Sequence, residues 1–139
     1  MNGKVFVDTN IVLYALDRTA GVKHQRARQI MEELWNAGSG VLSTQVLQEL
    51  CINLGRKTGK AFSLDDRRRV VENYSKWETV VNTAESILRA LDIEARYRIS
   101  FWDALILQAA ERAGCALVYS EDMAHGQRYG SMQVVNPLI

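Results

Sequence analysis

The chain is poor in the residues that staple small proteins or anchor them in membranes. It carries two cysteines in 139 residues, Cys51 and Cys115. Both lie in apolar surroundings without C-x-x-C spacing, so they read as reduced core thiols and not as a disulfide framework or a metal knuckle. The longest purely apolar run, "IVLYAL" at 11–16, is far shorter than the roughly 18 residues that a membrane span needs. The basic, apolar, small-residue order of a signal peptide is missing at the N-terminus, so a cytoplasmic location without membrane contact is expected. An excess of one charge is also missing. Seventeen basic residues meet 16 acidic ones, a net charge of +1, too balanced by itself to announce a nucleic-acid partner. Proline occurs once, and no linker, repeat or low-complexity stretch divides the sequence, so one domain over 1–139 is expected.

Several reactive signatures are absent as well. There is no G-x-S-x-G and no Ser/His/Asp order, and no G-x-x-x-x-G-K-[ST] phosphate loop. His24 and His125 are isolated and read as surface or packing residues. Trp35, Phe101 and Trp102 are expected to pack and not to stack on bases.

What is present is an alternation. Strand-like runs at 4–9, 40–44, 78–82 and 116–120, with a weaker one at 132–136, are separated by helical patterns. This predicts an α/β domain with a mostly parallel, five-stranded sheet. Asn82 and Glu85 have capping-box spacing, Ser63 precedes a helix with Asp65 and Asp66 in its first turn, and Gly114 ends the helix that begins near Phe101.

Against that frame four acids are out of place. In "VFVDTN" at 5–10, three apolar residues run straight into a carboxylate, a hydroxyl and an amide, which puts Asp8 at the lip of the core. Asp122 follows the strand "ALVYS" in the same way. Open parallel sheets bind ligands beyond the carboxyl ends of their strands. Glu49 shares an i, i+3, i+4, i+7 stripe with Val46, Leu50 and Asn53, and Asp103 shares one with Ile106, Leu107 and Ala110. Each acid alone has a plainer reading: Asp8 as a cap, Glu49 and Asp103 as partners of an arginine, Asp122 as the opening of the turn "EDMAHG". Together, four carboxylates cannot crowd ionised without a cation, and a hard divalent ion such as Mg²⁺ or Mn²⁺ resolves that conflict.

The stretches "VDTNIVLYALD" at 7–17, "STQVLQEL" at 43–50, "SFWDALI" at 100–106 and "LVYSEDM" at 117–123 resemble PIN-domain ribonucleases. Within that family they are most similar to the VapC toxins of VapBC toxin–antitoxin modules. The resemblance spans nearly the whole chain. It implies a three-layer α/β/α domain and a Mg²⁺- or Mn²⁺-dependent endoribonuclease. It places Asp8, Glu49, Asp103 and Asp122 as catalytic and metal-binding acids, with Ser120 and Asn10 as polar companions. Asp122 takes the last role over its neighbour Glu121, because the family spaces that acid two residues after the hydroxyl. The substrate implied is RNA, of the transfer or ribosomal kind. The partners implied are a VapB-like antitoxin and a second copy in a homodimer.

Basic clusters at Arg56, Lys57 and Lys60, at Arg67 to Arg69, and at Arg96 and Arg98 are expected either to line the approach or to be solvated helix faces. Two other readings compete. One is a PIN domain that binds RNA or protein without cutting, which the intact acidic set disfavours. The other is a metal-dependent phosphatase acting on small molecules, which lacks its D-x-D because residue 10 is asparagine.

Overall fold

The computed structural model describes residues 3–57 and 62–139. The elements run β1 (Val5–Val7), α1 (Thr9–Leu16), α2 (Val22–Ala37), β2 (Gly40–Ser43), α3 (Thr44–Lys57), α4 (Leu64–Tyr74) and β3 (Glu78–Val80). They continue with α5 (Ala84–Tyr97), α6 (Phe101–Ala113), β4 (Leu117–Tyr119), β5 (Arg128–Tyr129) and β6 (Met132–Val135). The sheet order is β3-β2-β1-β4-β6-β5. Five strands are parallel, and β5 alone runs antiparallel, against β6. The sheet therefore has six strands where five were expected. The extra one is a two-residue ladder closed through Gly130, which adopts a left-handed φ of 61°. Two residues carry no periodicity, so sequence could not announce it.

The central strand β1 is Val-Phe-Val and fully buried, as a parallel strand covered on both faces must be. The helices form two groups, α1 to α4 and α5 with α6, and both groups reach β2. The sheet thus lies between two helical layers. Val5 faces Gly40 across the β1–β2 ladder, and that glycine is required by a neighbour. A Cβ there would lie 2.2 Å from Cζ3 of Trp77. Trp77 forms a cluster of edge-on rings with Trp35 and Tyr74, at centroid separations of 5.4 to 5.8 Å. Trp35 packs as expected.

Helix ends follow the sequence closely, with one shift. Ser63 caps α4 in a reciprocal capping box with Asp66, and Gly114 closes α6 at φ 76°. The box that opens α5 is formed by Thr83 and Ser86, one position beyond Asn82 and Glu85. Asn82 instead accepts a hydrogen bond at 2.7 Å from buried Gln108 on α6. Giving the buried Gln108 Nε2 an acceptor outweighed a cap that Thr83 could supply equally well.

Candidate active site

Leaving β1, the parallel order runs one way to β2 and the other way to β4, so the sheet's switch point lies between β1 and β4. Asp8 emerges from the first of these strands, and Ser120 and Asp122 follow the second. The backbone N–H of Asp8 donates to Tyr119 O at 2.9 Å, which ties the two strand ends together. Asp8 is also the N-cap of α1: its Oδ1 accepts from Thr9 N at 2.8 Å. Ser120 Oγ donates to Asp8 Oδ2 at 2.8 Å and accepts from Met123 N at 3.3 Å. The cap reading and the site reading of Asp8 are therefore both satisfied by one side chain.

Glu49 reaches the same place from the second turn of α3. Thr9 Oγ1 donates to its Oε1, and Gln45 Nε2 to its Oε2 at 3.4 Å. Asp103 sits in the first turn of α6, where Ser100 Oγ accepts its N–H at 3.1 Å. Asn10 Nδ2 donates to Asp122 Oδ2. A cleft of about 270 Å³ is lined by Asp8, Glu49, Asp103 and Asp122 together with Thr9, Asn10, Gln45, Asn53, Trp102 and Ile106. The four acids singled out in the sequence thus meet in one depression, with Asn10 in its wall and Ser120 beneath Asp8. A larger hollow of about 350 Å³ lies along α2 and is lined by that helix's own side chains alone, a solvated helix face without converging chemistry.

Glu121 turns away from the cleft. Its carboxylate accepts from Tyr14 Oη at 2.6 Å and pairs with Lys23 Nζ at 2.6 Å. The adjacent acids therefore do different work, one clamping the loop to α1 and α2 and the other facing the cleft.

The electrostatics are those of an uncompensated acidic site. Burial pushes the Asp8 carboxyl up from 3.8 to about 6, against the opposing hydrogen bonds from Ser120 and Thr9, and the charges of Glu49 and Asp103 add to the rise. Asp103 is also raised, first by burial and further by the charge of Asp122. Among the described residues no lysine or arginine forms a salt bridge with any of the four. The expected alternative of an arginine partner for Glu49 or Asp103 is not realised. As the side chains stand, no three carboxylate, imidazole or thiolate groups among the described residues form a ready ligating array. By donor chemistry the four fit a hard cation: all offer oxygen, and their mutual repulsion is what a divalent ion relieves.

Two residues of the cleft were not singled out from sequence. Thr9 fixes Glu49, and its signal lay within "DTN" itself. Gln45 lies four positions before Glu49, on the same helical stripe, a spacing that could have identified it. Trp102 departs from its expected packing role, since it is 62% exposed at the cleft. Arg67 is structural: its Nη1 donates to Cys51 O at 3.0 Å, against Gly55, and joins α4 to α3. Arg56, Arg68, Arg69, Arg96 and Arg98 are exposed, while Lys60 and the side chain of Lys57 lie outside the described residues.

This fold and this acidic switch point define a class. A PIN-domain family model matches residues 5–128, and the chain belongs to that family. A comparison with curated protein sequences gives no match. Among solved structures the chain is similar to a toxin–antitoxin complex from Klebsiella pneumoniae, at 16% identity and a TM-score of 0.72 over 96% of this chain and 98% of that one. It is also similar to VapC20 of Mycobacterium tuberculosis, described as a sarcin–ricin loop cleaving toxin, at 20% identity and a TM-score of 0.66 over 86% and 90% of the two chains. A third is DNA-bound VapBC from Salmonella typhimurium, at 18% identity and a TM-score of 0.65 over 96% and 97%. No helix among the described residues is long and apolar enough to cross a membrane.

Proposed function

We propose that this protein is a VapC-type toxin, a Mg²⁺- or Mn²⁺-dependent endoribonuclease that hydrolyses phosphodiester bonds in a transfer or ribosomal RNA. The observation that carries the reading is the meeting of Asp8, Glu49, Asp103 and Asp122, from four separate segments, in one cleft without a cationic partner among the described residues. The likeness to VapC and VapBC structures supports it. Asp8, Glu49, Asp103 and Asp122 would hold the ion, which when bound supplies charge neutralisation at the phosphate and activation of the attacking water. The chain's own residues set the geometry. Ser120 and Thr9 N fix both oxygens of Asp8, Thr9 Oγ1 and Gln45 orient Glu49, and Asn10 holds Asp122 toward the cleft. A carboxylate so placed can orient the water and accept its proton.

The same reading includes a VapB-like antitoxin that silences the site, a homodimer, and a cytoplasmic location. In support of self-association, α5 exposes Ile87, Leu88 and Leu91, three apolar side chains at i, i+1, i+4 spacing on one face. The experiment is RNA cleavage by the purified chain with Mg²⁺, with Mn²⁺ and after EDTA, alongside Asp103→Asn. Cleavage should require the ion and vanish in Asp103→Asn, whose thermal melt should stay close to that of the parent. Cutting that survives thorough chelation, or persists in a well-folded Asp103→Asn protein, refutes the proposal.

A further inference from the structure

Trp102 differs from the other tryptophans in its place. Trp35 and Trp77 pack in the ring cluster with Tyr74, whereas Trp102 is 62% exposed and lines the acidic cleft beside Asp103. It is not a loose surface residue. It sits in the first turn of α6, Phe101 meets its ring edge-on at 5.2 Å, and its carbonyl accepts from Gln45 Nε2 at 3.3 Å. A large apolar ring is thus held at a fixed position on the lip of a polar site.

Gln45 supplies an independent observation. It is 4% exposed and lines the same cleft. Its Nε2 has two acceptors, Trp102 O and Glu49 Oε2, and these fix which way the amide points. The opposite atom, Oε1, is buried and has no partner among the described residues. A buried carbonyl oxygen without a donor is costly, and a bound donor would relieve that cost. Among the described residues the cleft wall holds no lysine or arginine, so the grip these residues offer a nucleic acid comes from something other than phosphate pairing.

We infer that Trp102 and Gln45 form a nucleotide subsite beside the scissile bond, in which Trp102 stacks on one unpaired base and Gln45 Oε1 accepts from an N–H or O–H of that nucleotide. The inference rests on the ribonuclease reading and specifies how that site holds its substrate: through one base that is free to leave its neighbours. Aromatic stacking is the usual way such unpaired bases are held, and it tolerates any base because each has a π-face. The donors that Gln45 needs are present on every ribonucleotide as the 2′-hydroxyl, and on most bases as ring or exocyclic N–H.

The test uses the Asp103→Asn protein with Mg²⁺ and two fluorescein-labelled probes, a uridine dodecamer and an abasic ribose-phosphate chain of equal length, read by anisotropy. The uridine chain should bind more tightly than the abasic one. Adding Trp102→Ala should weaken uridine binding roughly tenfold, the scale of one base–aromatic stack, and leave abasic binding unchanged. Trp102→Phe should lose less on the uridine chain. Equal losses on both probes, or no loss on either, would overturn the subsite and leave Trp102 as a protein contact. Cleavage by the unaltered chain is scored separately. Base-dependent binding without any cutting would uphold the subsite and refute the nuclease.

Discussion

Asp8 carries the clearest physical tension in the molecule, because the residue that caps α1 is a buried acid facing two other acids. Its folded pKa of about 6 lies above the 3.8 of an exposed aspartate. The folded chain therefore binds this proton more readily than the unfolded one between about pH 4 and 6. The stability this contributes is full below pH 4 and is lost as pH rises through 6, a difference of about 3 kcal/mol at full expression. Asparagine has the same shape and can still accept from Thr9 N. In EDTA at pH 7.5, Asp8→Asn should melt above the parent chain, and at pH 4 that advantage should be gone. An unchanged gap between the two proteins at both pH values would show that the charge is not the cause. Residues of this kind were legible in the sequence because an acid at the end of an apolar strand, or on an apolar helical stripe, contradicts its surroundings. Gln45 escaped notice because a glutamine on such a stripe contradicts them only mildly, and its unpartnered oxygen is a property of the folded environment.

Elements were legible in proportion to how much of their own length specifies them. The run Val5–Val7 and the helix closed by Gly114 contain their own instructions, whereas Arg128–Tyr129 is a strand only because Met132–Val135 offers it a partner. The opening of α5 moved by one residue because Asn82 was engaged across the core by Gln108. Long-range pairing decided both cases. Another such dependence joins β2 to the loop after α4. Gly40 has no side chain, and the Trp77 ring occupies the space that one would need. Gly40→Ala should cost about 1 to 3 kcal/mol by overpacking, measured by urea unfolding. In a Trp77→Ala background the same change should cost much less, since the obstructing ring is gone. If the penalty is equal in both backgrounds, the ring is not what excludes the Cβ. Arg67→Ala should also destabilise, through the lost bond to Cys51 O, while Arg68→Ala, at an exposed position, should be nearly neutral in the same measurement.

At the scale of the molecule, the acidic cleft and the apolar face of α5 are separable features. All four cleft acids come from one chain, so a single copy supplies the carboxylates of the proposed chemistry. The face formed by Ile87, Leu88 and Leu91 is an exposed apolar surface that association would bury, and each such side chain contributes roughly 1.5 to 3 kcal/mol when fully removed from water. A charge placed there must be desolvated or the contact must open. Leu88→Glu should therefore convert a dimer to a monomer in sedimentation equilibrium at micromolar concentration, without lowering the thermal melt at infinite dilution. Cleavage per chain should stay within about twofold of the parent, because no cleft residue has moved; a twofold change corresponds to only about 0.4 kcal/mol in the barrier. A dimer of undiminished affinity would place the interface elsewhere. A clean monomer that no longer cuts RNA would mean that association completes the site, against the one-chain cleft argued here.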